Sequence, residues 1–391
     1  MKYASIIPLI GGETFGMERV FNQRPEYILS YSAFEANDSQ LLQHYNNEVP
    51  YYKLDEGGSA PYQVDVVNSV CPCAGLSTLS TTHDANNPTN DWMITSSEYV
   101  LENVKPKVLW GENSPHLANN MGKEVVKKLR GLANKYGYTF SLYKTKSMLH
   151  GLSQVRNRSF YFFWKDKRIP LFDYYNKPYI RIEDQIRSSA RNDFDPMTEL
   201  LANNNTPSQD PYYKYILEEI HGGISHQDFT KMIDKSVDVL SYIEKHNKYN
   251  VVSEWMEKHN FDREAKSCMR KYEKLESGGN IMRKITTIVN DYIGAFVGHM
   301  PSQIVHPDAD RYLNVRECLD IMGMPKDFQL QGGAKNINMI CQNVPVTTAA
   351  DMAYNIKKYL DNDREMLNTE YVRQDNVKQS YEKENQVMSL F

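Results

Sequence analysis

The sequence predicts an α/β fold, a mainly parallel sheet flanked by helices and interrupted by a large, mostly helical insertion. Three observations support this. Up to about residue 175, short apolar runs alternate with segments of helical period, the pattern of strands joined by crossover helices. Near Gln185 the composition changes, and from Tyr212 to Leu275 it is densely charged and helical, punctuated by Gly222-Gly223 and Gly278-Gly279. After Ser302 the compact α/β character returns.

Ser5–Ile10 is an apolar run ending in a glycine turn, and it reads as the first strand; Phe15–Phe21 opens a helix. Glu26–Tyr31 gives a second strand, and Gln40–Tyr45 lies in the helix after it. Asp65–Val70 is a buried-strand pattern that runs directly into Cys71-Pro72-Cys73. The polar stretch Ser77–Asp91 is too long for a tight connection, and such loops are often functional lids. Trp92–Asn103 reads as a helix, Lys107–Trp110 as a strand and Gly122–Tyr136 as a basic amphipathic helix. Thr139–Tyr143 and Ser159–Trp164 form a closing pair of strands. Past the insertion, Leu313–Met322 is helical, Met324-Pro325 ends it, and Ala349–Leu360 makes a last amphipathic helix. The polar tail beyond Asp361 predicts a frayed end.

At 391 residues the chain suits two domains, or one core carrying a large insertion. Hydrophobic residues make up 41% and charged residues 24%, a globular composition that excludes extensive disorder. Lys+Arg 45 against Asp+Glu 49 leaves a net charge of -4. That excludes a surface coated in cations for indiscriminate nucleic-acid binding and leaves room for a localised basic face. No apolar stretch approaches the roughly 20 residues that cross a bilayer, so no membrane partner is expected. The cysteines, Cys71, Cys73, Cys268, Cys318 and Cys341, are odd in number and scattered, with no disulfide framework and no CxxC metal knuckle. A reducing, cytoplasmic setting, no metal and a monomer are the expectations.

Gly11-Gly12-Glu13-Thr14-Phe15-Gly16 follows the first strand and precedes a helix, where a doubly wound sheet receives nucleotide-like ligands. An ordinary strand–helix turn explains the same residues. Glu35, after the second strand, stands where an acid accepts ribose hydroxyls, and Asp55 has a similar place near the third; the alternative for each is a solvated loop acid. Cys73 follows a buried strand and a rigid proline, at the edge where a thiol can attack an electrophilic carbon. Its alternative, shared with Cys71, is a small buried hydrophobe. Glu112 projects from the next strand end, and an acid beside a thiol suits an electrophile that is protonated as it is attacked. Arg156 and Arg158, two apart at strand spacing, share a face and can reach one ligand, or else form a solvated basic strand end.

These segments together resemble a known family. Pro72-Cys73-Ala74-Gly75-Leu76-Ser77 looks like the PCQGFS nucleophile motif of DNA cytosine-5 methyltransferases, and Glu112-Asn113-Ser114 like their ENV. Gln154-Val155-Arg156-Asn157-Arg158 resembles QxRxR. Arg311-Tyr312-Leu313-Asn314-Val315-Arg316-Glu317 with Gly323-Met324-Pro325 is similar to RxLTxRExxxxxGFP, and Gln342-Asn343-Val344-Pro345 to GNxVP. All occur in the family's order across nearly the whole chain. The first motif, usually FxGxGG, reads Ile7-Pro8-Leu9-Ile10-Gly11-Gly12 and lacks the Phe and the first Gly; Gln342 replaces the Gly of GNxVP.

The resemblance implies a Rossmann-like S-adenosylmethionine-dependent methyltransferase sheet with an inserted, mostly helical target-recognition domain. It divides the chain into a catalytic, cofactor-binding domain over 1–184, the target-recognition domain over 185–304, and a segment over 305–391 that completes the catalytic domain. The implied reaction is methyl transfer to C5 of cytosine in double-stranded DNA, with S-adenosylmethionine as donor and the target base flipped out of the duplex. Cys73 would add to C6, Glu112 would hold or protonate N3, and Arg156 and Arg158 would orient the base. Ile7, Gly11, Gly12, Glu35, Asp55, Pro72, Asn343 and Val344 would hold the donor. Ser77, Gln154, Arg270, Lys271, Arg283 and Lys284 would meet the nucleic acid. Two other readings stay open: the same chemistry on RNA or with a modified donor, and a non-catalytic DNA-binding relative.

Overall fold

A computed structural model describes residues 1–72, 74–76, 87–189, 194–198, 206–281, 286–296 and 300–377. The chain divides into two compact units: residues 1–179, 322–329 and 342–391 form the first, 180–321 and 330–341 the second.

The first unit is built on an eight-stranded sheet. In chain order its strands are β1 (Tyr3–Ile6), β2 (Ile28–Ser30), β3 (Tyr51–Lys53), β4 (Val66–Ser69), β5 (Val108–Asn113), β6 (Thr139–Lys146), β7 (Asn157–Trp164) and β8 (Tyr371–Asp375). Across the sheet they run β8-β6-β7-β5-β4-β1-β2-β3. β7 alone is reversed, pairing antiparallel with both β5 and β6, while the other neighbours pair in parallel. Sheets of this kind are covered on both faces, so their strands are apolar throughout rather than alternating. Val66, Val67, Val108, Leu109, Trp110 and the run Phe160–Trp164 are all buried.

Helices α1 (Gly12–Phe21), α2 (Glu35–His44), α3 (Asp91–Tyr99), α4 (Lys123–Tyr136) and α5 (Val346–Leu360) flank this sheet. α1 and α5 cross closely at Gly16: a Cβ there would lie 2.6 Å from Ala349 Cβ and 2.8 Å from its carbonyl carbon. Glycine is what lets the two backbones approach, and so the C-terminal helix is seated against the first one.

The predicted elements form, with shifted ends. The first strand stops at Ile6 rather than Ile10, because Ile7 and Leu9 both take left-handed backbone, φ 51° and 52°. The tail needs a larger correction. Tyr371–Asp375 does not fray; it adds to the sheet edge beside β6, in register from Tyr371↔Phe140 to Asp375↔Lys144. An edge strand is held by main-chain hydrogen bonds and needs little apolar sequence. Here Tyr371 also stacks on Phe140, with ring centroids 6.2 Å apart.

The second unit is mostly helical. Val239–His246, Tyr249–Lys258 and Asp262–Glu276 pack around Tyr213, Ile216, Phe229, Leu240, Ile243, Val252, Met256 and Cys268. A small sheet of Val237–Asp238, Thr287–Ile288 and Ile304–Val305 joins that core. The helix Val315–Ile321 belongs to this unit, in which Arg316 pairs with Asp195 at 2.7 Å. The compact division thus runs past residue 304, the end expected for the insertion.

Candidate active site

The carboxyl ends of β1, β4 and β5 meet at one edge of the sheet, and the reversed strand β7 starts there. The register Asn113↔Ser159 sets Glu112 near the end of β5 and Arg158 at the beginning of β7. Their side chains form an ion pair, Arg158 Nε to Glu112 Oε1, with Glu112 3% exposed. A carboxylate can be taken out of water at this depth only when paired, and Arg158 supplies the pairing. Just beyond, Ser114 donates from Oγ to the Leu76 carbonyl at 2.9 Å, tying the end of β5 to the turn Ala74–Leu76. That turn directly follows Cys73, which itself lies outside the described residues.

Arg156 takes a different direction. It sits in the break between Gln154–Val155 and β7, is 1% exposed, and donates from Nη2 to the Asn343 carbonyl at 3.0 Å. Arg156 and Arg158, expected on one face, hold different partners: Arg156 donates to the Asn343 carbonyl and Arg158 pairs with Glu112. Asn343 is also wholly buried. Its Oδ1 accepts from the Gly12 amide at 2.8 Å and its Nδ2 reaches Met324 Sδ at 3.1 Å. A Cβ on Gly12 would lie 2.0 Å from the Val344 carbonyl oxygen and 2.5 Å from Asn343 Oδ1. Arg156, Asn343 and Gly12 thus form one chain that fixes the start of α1 from behind, with Val344 buried beside it.

The loop after β1 carries three left-handed residues, Ile7, Leu9 and Gly11. Leu9 keeps this backbone without the glycine that usually permits it. Ile7 is buried in the core. Asp38 of α2 faces the Leu9 amide and accepts from the Tyr51 hydroxyl at 3.0 Å, and burial pushes its pKa up to about 7. Glu35 is well exposed after β2 and pairs with Lys53 Nζ at 2.9 Å. Asp55 accepts from the Ser32 amide through both oxygens at 3.0 Å. Pro72 is half-buried at the end of β4. The support from Asp38 and Lys53 was not anticipated from the sequence, because nothing in a helical acid or a strand lysine marks which loop it faces.

The expected nucleic-acid residues separate. Gln154 is buried, with Nε2 3.4 Å from Met322 Sδ. Lys271 is half-buried: its ammonium donates to the Tyr212 hydroxyl at 2.8 Å and to Ser267 Oγ at 3.0 Å, and burial lowers its pKa. It belongs to the packing of its own unit. Arg270 is exposed on the same helix. Ser77, Arg283 and Lys284 lie outside the described residues. A basic cleft of about 370 Å³ that was not anticipated lies along α4, lined by Lys123, Lys127 and Arg130 together with Arg373 of β8, with no acid in its lining.

The model of one family, C-5 cytosine-specific DNA methylase, matches residues 1–358. The chain belongs to the C-5 cytosine-specific DNA methylase family. Solved structures with the same fold include a DNA modification methyltransferase encoded within an E. coli prophage, 13% identical, covering 92% of this chain and 99% of that one at a TM-score of 0.58. The Entamoeba histolytica methyltransferase EhMeth, also 13% identical, covers 92% and 98% at 0.52. Spodoptera frugiperda DNMT2, 11% identical, covers 91% and 100% at 0.51. No curated protein matches the chain.

The methyltransferase uses S-adenosylmethionine, and its residues fit that donor. Glu35 offers an exposed carboxylate at the end of β2, the kind of acceptor ribose hydroxyls require. The left-handed loop and the side-chain-free start of α1 allow backbone amides to approach a carboxylate. The Gly12–Asn343 bond holds that start in place.

Proposed function

We propose that the methyltransferase acts on C5 of cytosine in double-stranded DNA through a covalent adduct at Cys73, with the target base flipped from the helix. The observation that carries this reading is the buried Glu112–Arg158 pair at the sheet edge, tied through Ser114 to the turn that follows Cys73. Cytosine C5 is a poor nucleophile. Addition of the Cys73 thiolate to C6 raises electron density at C5, while Glu112 holds or protonates N3 and so takes up the charge that develops on the ring. Arg158 keeps Glu112 oriented. When bound, S-adenosylmethionine supplies an electrophilic methyl group on a sulfonium. Loss of the C5 proton then expels the Cys73 thiolate and restores the aromatic ring.

The acid-free cleft of Lys123, Lys127, Arg130 and Arg373 supports a polyphosphate partner, as does exposed Arg270. The insertion is proposed as the target-recognition part. The test is incubation with donor carrying a labelled methyl group and unmethylated DNA of mixed sequence, followed by digestion and nucleoside mass analysis. Labelled 5-methylcytosine is expected, and Cys73→Ala should abolish it while DNA is still bound. Equal transfer by Cys73→Ala would sink the adduct mechanism, and label appearing only in RNA would move the substrate.

A further inference from the structure

Glu13 has no part in the chemistry above, yet it occupies one of the most guarded positions in the first unit. It is the second residue of α1, and its exposure is 0%. Its carboxyl group faces the Asn68 side chain and the main chain of Ser69 at the end of β4, and the main chain of Glu112 at the end of β5. Behind these, Ser5 of β1 bonds to Thr14 at 2.9 Å and to Asn68 at 2.8 Å.

The titratable groups facing Glu13 among the described residues include Glu112 from β5, the Cys71 thiol just past β4 and the Tyr161 phenol from β7. From β1 the Ser5 hydroxyl reaches this cluster through the Asn68 side chain. Arg158 is paired with Glu112. Burial, and after it the Glu112 charge, push the Glu13 pKa well above the usual carboxylate range, outweighing the hydrogen bonding from Asn68 and from the Ser69 and Glu112 main chain. An ionised Glu13 would add a fully buried charge beside the Glu112–Arg158 pair. A leucine at this position would pack at no such cost, so a fully buried acid here points to a role in the site it adjoins.

We propose that Glu13 is a positioning residue that holds a proton behind Glu112, keeping the Glu112–Arg158 pair balanced, and that losing this proton disables methyl transfer. The inference rests on Glu112 acting on the base, as proposed above. Glu13 touches neither base nor donor in this role; it acts through the end of β5.

Two measurements test it. The first is infrared difference spectroscopy of wild type minus Glu13→Gln at neutral pH, which needs no substrate. A buried protonated carboxyl band present in the wild type and missing from the variant is expected; no such band overturns the inference whatever the enzyme methylates. The second is the pH dependence of single-turnover transfer, each protein normalised to its own rate at neutral pH. Above the Glu13 midpoint the wild type should lose about tenfold per pH unit. Glu13→Gln and the similarly sized Glu13→Leu, which cannot ionise, should lose that limb. An alkaline limb unchanged in both variants overturns the positioning role even if the band is found. Failure of the wild type to label any cytosine is a separate result, one that removes the catalytic reading instead.

Discussion

At the scale of single residues, the site is a set of buried charges whose states are fixed by what stands next to them. Glu112 is kept by Arg158. Asp38 is buried, and that burial raises its pKa from 3.8 to about 7. The consequence for stability has a definite sign. Between pH 4 and pH 7 the folded protein holds a proton on Asp38 that the unfolded chain has released, so stability falls as pH rises through that window. The contribution is fully present below pH 3.8 and lost by the time Asp38 ionises in the fold, on the order of 4 kcal/mol at most. Asp38→Asn can still accept from the Tyr51 hydroxyl and has nothing to titrate. Urea midpoints measured from pH 4 to pH 7 should decline less in Asp38→Asn than in the wild type. Parallel declines would show that Asp38 is ionised and solvated in the folded protein.

At the scale of elements, the start of α1 depends on how closely α5 lies against it. Replacing Gly16 by Ala puts a methyl 2.8 Å from the Ala349 carbonyl carbon and the Ala350 amide, both backbone atoms that cannot swing away. The helices must separate, at about 1–3 kcal/mol. Because Asn343, just before α5, caps the Gly12 amide, the same separation should weaken donor binding. Gly16→Ala should therefore lower the urea midpoint and raise the Kd for S-adenosylmethionine; a variant with both unchanged would show that the crossing is not under contact. How much of this was legible varied with the kind of signal. β4, β5 and the β6–β7 pair are visible in the sequence because strands buried on both faces must be apolar along their length. β8 was hidden because an edge strand binds through its main chain. Glu112 was readable from its place after a buried strand. The divergence of Arg156 from Arg158 was not, since it depends on a one-residue break that spacing does not reveal. Neither was the burial of Glu13, which follows from how α1 docks on the ends of β4 and β5.

At the scale of the whole molecule, a net charge of -4 gives the protein no long-range attraction for a polyanion, so affinity must come from local cation clusters. Lys123, Lys127 and Arg130 repeat at helical spacing along α4; Arg130 lies 4.4 Å over the Tyr371 ring of the edge strand, and Arg373 of that strand donates to the Ala118 carbonyl at 2.7 Å. Like charges four residues apart destabilise a helix slightly, and no acid lines the cleft to offset them. A phosphate backbone would. Each phosphate neutralised on duplex DNA adds about 0.9 to the slope of log K against log salt. Substituting both Lys123 and Lys127 by Ala should therefore reduce that slope by about 1.8 if each meets one phosphate. Far-ultraviolet circular dichroism should stay the same, since both side chains are exposed and alanine favours the helix. Arg270→Ala, in the second unit, provides the comparison: a slope that falls only there would assign phosphate contact to the insertion and leave the α4 cleft without a nucleic-acid role.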